Sequence, residues 1–228
     1  MAIVKKYPAR VIDINNHGNV YTVTFRTLGS RFKFKPGQFL HLALNSYDPS
    51  MAWPESRCFS MQSSPGNDIV KITFAVKGEF TTRMGNYLKP GVDVTLKMPY
   101  GNLFTQEHTK GNTVFISGGT GITPFLSLFT STKFNEYKNP ILYAGFRSDQ
   151  DNLFKKDLIS ANQINPSLEI KYIYENKSGK IDIKKIYDEV DPNATYFISG
   201  PPLMIKNFQD FLISKQLNES QILFDDWA

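Results

Sequence analysis

The sequence predicts two units in series: an antiparallel six-stranded Greek-key β-barrel over residues 1–108, then an α/β unit with a parallel sheet over residues 109–228. Three observations predict this. In the first half the pattern turns over about every 8 to 12 residues, with corners such as His17-Gly18-Asn19, Lys35-Pro36-Gly37 and Lys89-Pro90-Gly91, as antiparallel β structure does. In the second half strand-like runs alternate with helix-period runs, the rhythm of βα units and a parallel sheet. Between the two lies a polar stretch, residues 105–112, that reads as a linker.

Composition narrows the class. The chain of 228 residues is 41% hydrophobic and 21% charged, ordinary for a soluble globular protein with a real core. No apolar run approaches the roughly 20 residues that span a bilayer. The start, Met-Ala-Ile-Val-Lys-Lys-Tyr-Pro, lacks the long apolar core of a secretory signal, so a cytoplasmic location and no integral membrane segment are expected. Cys58 is the sole cysteine, which excludes an intramolecular disulfide, a cysteine-built zinc site and a four-cysteine iron–sulfur cluster. No metal site is expected. Net charge is +5, with Lys and Arg scattered among acids rather than clustered, so no nucleic-acid partner is expected. The mild excess is either a solvated surface or a means of docking an acidic partner or a nucleotide.

Strands are expected over residues 9–15, 20–26, 38–44, 69–76 and 92–98, with a short helix over 82–88. Closing them into a small barrel removes exposed edges. Two stretches carry chemistry. Arg57-Cys58-Phe59-Ser60 opens a strand with a guanidinium, an aromatic and a hydroxyl; alternation sends Arg57 and Phe59 to one side, Cys58 and Ser60 to the other. Such a set can pair with a phosphate, stack a flat ring and hydrogen-bond a ring nitrogen. The tetrapeptide alone also fits a strand with one core aromatic and one surface arginine. In Gly78-Glu79-Phe80-Thr81-Thr82 a threonine can cap the following helix, whose free N–H groups suit an anion; a plain capped turn fits as well. The bend Pro99-Tyr100-Gly101-Asn102-Leu103-Phe104 closes the barrel.

In the second half, strands are expected over 113–117, 140–146, 168–174 and 194–199, with a final run at 221–224. Helices are expected over 124–134, 152–162, 183–189 and 204–215. The first strand feeds Gly118-Gly119-Thr120-Gly121-Ile122-Thr123-Pro124, the layout of a phosphate-binding loop. Gly119 and Gly121 supply the first two glycines of the dinucleotide fingerprint, but Pro124 stands where the third would fall. Residues 118–123, 145–151 and 199–204 all sit at carboxyl ends of strands, where open α/β sheets bind ligands.

Taken together, Arg-x-aromatic-Ser, Gly-x-x-Thr, Pro-x-Gly-x-Phe, Gly-Gly-Thr-Gly-Ile-Thr-Pro and Gly-Pro-Pro-x-Met, in this order, resemble the ferredoxin–NADP reductase superfamily over nearly the whole chain. The resemblance implies a flavin on the barrel, FAD with FMN as the alternative, and NADH or NADPH as substrate. Arg57 would contact the flavin phosphate, Phe59 would pack on the isoalloxazine and Ser60 would hydrogen-bond its N5, with Cys58 in the same segment. Gly78, Phe80, Thr81 and Thr82 would cradle the phosphate. Gly118, Gly119, Thr120, Gly121, Thr123 and Pro124 would bind the pyrophosphate of the nicotinamide nucleotide, and Gly200, Pro201, Pro202 and Met204 would border its nicotinamide half. Ser60, Ser199 and Trp227 form the expected catalytic set.

Two positions depart from the family. Phe59 replaces the usual tyrosine, and Ser199 stands where many members carry cysteine just before Gly-Pro-Pro. Cys58 should point away from Phe59 and is not expected to substitute. In the tail, Trp227 with Asp225 or Asp226 would cover the flavin, with Phe224 a rival and a frayed end equally compatible. Arg147 and Ser148 suit a 2′-phosphate, whereas Asp149 or Asp151 suits a free 2′-hydroxyl. No arginine follows in Tyr174-Glu175-Asn176, which tilts the expectation to NADH. His17, His41 and His108 are not expected to be catalysts.

The implied function is hydride transfer from NAD(P)H to the flavin, then electron release to a separate acidic acceptor such as a ferredoxin or another redox protein. With one cysteine the chain is expected to be the bare reductase core, any iron–sulfur partner being another protein. The alternatives are a non-catalytic redox or nucleotide-sensing module, or a reductase of free flavin, ferric chelates or quinones.

Overall fold

The computed structural model describes residues 3–29, 32–66 and 68–225. Its first half is built from β1 (Lys5–His17), β2 (Val20–Thr27), β3 (Phe39–Ala43), β4 (Ser56–Ser60), β5 (Ile69–Ala75), helix α1 (Glu79–Tyr87) and β6 (Asp93–Tyr100). The six strands pair antiparallel in the order β4-β3-β6-β1-β2-β5. The two edges then approach each other: the Gln62 N–H donates to the Lys71 carbonyl at 2.7 Å, and the Lys71 N–H donates to Ser63 Oγ at 3.2 Å. Those bonds nearly close the barrel and satisfy edge groups that would otherwise invite pairing with another chain.

Strand β1 is longer than the expected 9–15 because it serves two neighbours. Its first part pairs with β6 and its second with β2, with a bulge between Val11 and Asp13. Val11, Phe25, Leu40, Leu42, Ile72 and Leu96 fill the interior and are almost wholly shielded from solvent. Phe80 and Met84, one turn apart on α1, seal one end of that core.

The second half contains β7 (Thr113–Gly118), α2 (Thr123–Phe129), β8 (Ile141–Phe146), α3 (Lys155–Ile164), β9 (Glu169–Tyr174), the single turn α4 (Glu175–Ser178), α5 (Ile183–Glu189), β10 (Thr195–Ser199), α6 (Pro202–Ser214) and β11 (Ile222–Phe224). The five strands are parallel in the order β11-β10-β7-β8-β9. Central β7 is apolar on both faces. Alternation sends Phe115 into one layer with Phe125, Phe129 and Phe197, and sends Val114 and Ile116 into the other with Ile186 and Leu212. Phe115 and Phe197, from neighbouring strands, stack with centroids 5.3 Å apart.

The helix expected over 124–134 is broken. A 3₁₀ turn (Gly119–Ile122) precedes α2, and a second (Thr132–Glu136) follows it. The cause is the run Thr130-Ser131-Thr132. Thr130 Oγ1 donates back to the Leu126 carbonyl at 2.7 Å, and Ser131 takes an extended backbone while its hydroxyl accepts from the Lys133 N–H. The helix expected from residue 152 begins at Lys155, because Asn152 Oδ1 accepts from the Phe154 N–H and holds the entry in a turn. Among the described residues no helix is long and apolar enough to cross a membrane. The two halves are tied directly: Ser127 Oγ on α2 donates to the Ser63 carbonyl beside the barrel seam at 3.0 Å.

Candidate active site

A cavity of about 1370 Å³ opens between the barrel and the carboxyl ends of β7, β8 and β10. Phe59, Ser60 and Thr73 face it from the barrel; Gly119, Arg147 and Ser199 face it from the α/β unit. Its centre is a polar contact across the two halves. Ser60 Oγ, at the end of β4, donates to Asp225 Oδ2 at 2.9 Å, and Ser199 Oγ, at the end of β10, reaches the same oxygen at 3.5 Å. Asp225 is brought there by β11, which pairs parallel with β10 and continues through an Asp225 N–H bond to the Ile198 carbonyl. Asp225, one of the two tail acids expected there, lines the cavity. Asp226 and Trp227 lie outside the described residues.

Phe59 combines both roles open to it. It is buried in the barrel core with its ring 6.0 Å from that of Phe74, and its remaining surface forms cavity wall. Phe59 and Ser60, successive residues in unbroken register with β3, both reach the cavity because it wraps the end of β4. Cys58 does not line the cavity. It faces His41 across the β3–β4 pair, Sγ to Nε2 3.5 Å, and burial pushes its thiol above the usual range. The Cys58 side chain thus points away from the cavity, as alternation along β4 implies.

Arg57, Gly78, Phe80, Thr81 and Thr82 form a second cluster outside the cavity, joined to it through Lys77, which lines it. The Thr81 hydroxyl turns inward, accepting from the Lys77 and Gly78 N–H groups at 2.9 and 3.1 Å, and Thr82 Oγ1 donates to the Gly78 carbonyl. A Cβ placed on Gly78 would meet no protein atom within 4 Å, so open space faces the start of α1.

The glycine loop behaves otherwise. A Cβ on Gly121 would stand 2.5 Å from Gly200 Cα, and one on Gly118 would stand 2.9 Å from Pro201 Cδ. Gly118, Gly121 and Gly200 thus let two loops mesh, with Met204 packed over the junction. Gly119 alone is open, with φ +56° and nothing within 4 Å of a Cβ. Thr120 offers its carbonyl to Thr123 Oγ1 at 3.0 Å, while Thr123 and Pro124 start α2.

Arg147 is exposed at the cavity edge. Asp149 does not line the cavity, and both its oxygens are engaged, one by Lys155 Nζ at 2.7 Å and the other by the Tyr174 hydroxyl at 2.8 Å. The Lys155 hydrogen bond holds this carboxyl below the usual carboxylate range. Asp149 is thus held by two exposed protein contacts at the side of the cavity. Thr73 carries no motif that marks it in the sequence. It joins the cavity to a buried hydroxyl–amide chain, bonding Thr22 Oγ1 at 2.9 Å and Gln62 Oε1 at 2.6 Å, and only cross-strand register reveals it.

Comparison with known proteins agrees with this layout. The family model described as an FAD-binding domain matches residues 3–124, and that described as an oxidoreductase NAD-binding domain matches residues 115–210. The chain belongs to the ferredoxin–NADP reductase superfamily. Its relatives include the reductase component of propane 2-monooxygenase from Mycolicibacterium smegmatis, 23% identical over 87% of this chain and 60% of that protein. Another is the ferredoxin–NAD(P)(+) reductase component of the naphthalene 1,2-dioxygenase system from Pseudomonas putida, 30% identical over 64% of this chain and 44% of that protein. A crystal structure of a ferredoxin NADP+ reductase from Neisseria gonorrhoeae, with bound FAD and NADP, superposes with a TM-score of 0.80 at 18% identity, covering 96% of this chain and 98% of that one. The chain spans about half to three-fifths of the length of the curated relatives it matches first, 52% and 60%.

The residues present suit FAD on the barrel and a nicotinamide nucleotide across from it. An aromatic wall and a hydroxyl meet at Phe59 and Ser60, and Gly78 leaves open space beside two arginines.

Proposed function

We propose that the chain is an NAD(P)H-dependent flavoprotein reductase that passes electrons to a separate protein acceptor, such as a ferredoxin. The observation that carries this reading is the meeting of Ser60 from the barrel and Ser199 from the α/β unit on one carboxylate, Asp225. The cavity holding that contact is walled by both domains, as direct transfer between two cofactors requires.

FAD, when bound, supplies the hydride-accepting and electron-releasing chemistry. The chain supplies position. Phe59 presents an aromatic face, and the meshed Gly121–Gly200 loops set the opposite wall. With its proton committed to Asp225, the Ser60 oxygen turns its lone pairs to the cavity, the polarity that suits a ring nitrogen carrying a hydrogen. Ser199 takes the place of the family's cysteine as a small polar contact beside Gly200. No general base is needed, because hydride transfer depends on alignment and close approach.

An acidic acceptor fits the net charge of +5 and the exposed Lys6, which lies 3.8 Å over the Tyr47 ring on the barrel. A cytoplasmic setting belongs to the same reading. Arg147, suited to a 2′-phosphate, and Asp151, suited to a free 2′-hydroxyl, both line the cavity, so the proposal takes NADPH or NADH as donor.

Purified protein should be yellow, and its flavin absorption should bleach anaerobically with NADPH or NADH. Colourless protein that no added flavin binds would sink the proposal. A yellow protein that neither nucleotide reduces points instead to a sensing module. Capture of an acidic redox partner should weaken as salt rises.

A further inference from the structure

Where β4 meets the start of α1, one aromatic ring carries two guanidiniums. Arg57 lies 5.1 Å and Arg83 lies 5.3 Å from the Phe80 ring centroid. Phe80 is buried at 5% exposure, so its ring is a fixed platform. The two guanidiniums also converge on a single carboxylate. Arg57 Nη2 stands 3.2 Å from Glu55 Oε1, and Arg83 Nη2 bonds Glu55 Oε2. Arg57 is fixed further by its Nη1 bond to the Ser56 carbonyl at 2.9 Å.

Two like charges held this close repel unless an anion lies between them. Glu55 is that anion, and the Arg83 hydrogen bond keeps its carboxyl below the usual range and therefore ionised. All three side chains are about half exposed, 54%, 47% and 51% for Arg57, Arg83 and Glu55, so these ion pairs are individually weak and exchange readily. A monophosphate calls for one guanidinium fork. A diphosphate presents two linked anionic centres and can engage both forks at once.

We propose that Arg83 is a second phosphate-binding residue, forming with Arg57 a two-guanidinium clamp for the diphosphate of FAD, for which Glu55 competes, and that this clamp selects FAD over FMN. The inference rests on the flavin reading above. The motif order assigns Arg57 to a phosphate; nothing in it assigns Arg83 or Glu55. Gly78, open at the adjacent start of α1, leaves room for the diphosphate beside the clamp.

The test is titration of flavin-stripped full-length protein with FAD and with FMN, followed by flavin fluorescence quenching, for the wild type, Arg83→Ala, Arg83→Lys and Glu55→Gln. Arg83→Ala should raise the Kd for FAD about tenfold, the loss of one charge-assisted contact, and the Kd for FMN by less than about threefold. Arg83→Lys should recover part of the FAD affinity, since charge is kept and the fork is lost. Glu55→Gln should tighten FAD severalfold by removing the competing anion. If Arg83→Ala shifts both flavins equally, or neither, the clamp is overturned while the flavin reading stands. A wild type that binds neither flavin overturns that reading and the clamp with it.

Discussion

Each half of the chain makes a strand-to-helix turn that carries glycine, one at Gly78 before α1 and one at Gly118–Gly121 before α2. A methyl group added at Gly78 would point into open space, whereas one at Gly121 would strike the backbone of Gly200 at 2.5 Å. Similar turns in sequence therefore use glycine for different ends. At Gly121 it permits two protein loops to approach; at Gly78 it leaves room in front of a helix start. A glycine motif alone does not say whether the backbone is crowded by protein, as at Gly121, or faces open space, as at Gly78.

Gly121→Ala attacks this contrast hardest. The methyl meets Gly200 Cα, Gly200 N and the Ser199 carbonyl, all backbone atoms with little freedom to yield. Overpacking of this kind costs about 1–3 kcal/mol, and here it also displaces Ser199 from Asp225. Thermal unfolding should shift down and nucleotide-dependent bleaching of the flavin should be lost. A variant of native stability and activity would show that the two loops are not held together.

Asp225→Asn keeps the shape of the central contact and removes its charge. Anaerobic flavin reduction should slow about tenfold, equivalent to about 1.4 kcal/mol in the barrier, with a smaller change in KM. An unchanged reduction rate would mean that Ser60 and Ser199 meet there for packing alone. Ser127→Ala tests the tie between halves from outside the cavity. It removes a buried hydroxyl bonded to the Ser63 carbonyl and should cost about 1 kcal/mol, lowering the melting midpoint by roughly 2–4 °C. No shift would place the coupling of the two units elsewhere.

The same contrast shows how much was legible in the sequence. Strand and helix order followed from period-2 and period-3.6 patterning, and α5 begins where expected because Asp182 caps it by accepting from the Lys184 N–H. Ser60 and Ser199 were found through neighbouring motif residues. That both hydroxyls meet Asp225 is not readable from sequence, because Asp225 reaches Ser60 across 165 positions through the pairing of β11 with β10. The partners of Asp149 are hidden from the sequence for a similar reason: Tyr174, which bonds one of its oxygens, comes from the adjacent strand β9. Local rules fix spacing and capping; they are silent on which side chains tertiary contacts have already engaged.

Gly78→Ala should have the smallest effect on the fold and is the sharpest test of the comparison. Gly78 has φ −169° and ψ −177°, extended backbone that alanine adopts without strain, and its new methyl would touch nothing. Stability should change by less than about 0.5 kcal/mol. FAD affinity should nevertheless fall about threefold, because the methyl would enter the space in front of the helix start where the phosphates are proposed to sit. If the variant melts far lower, Gly78 serves the fold as Gly121 does, and the contrast collapses. If stability and FAD affinity both stay at the wild-type level, the space is real but the phosphates lie elsewhere, and the clamp at Arg57 and Arg83 must then bind them from the side away from α1's first turn.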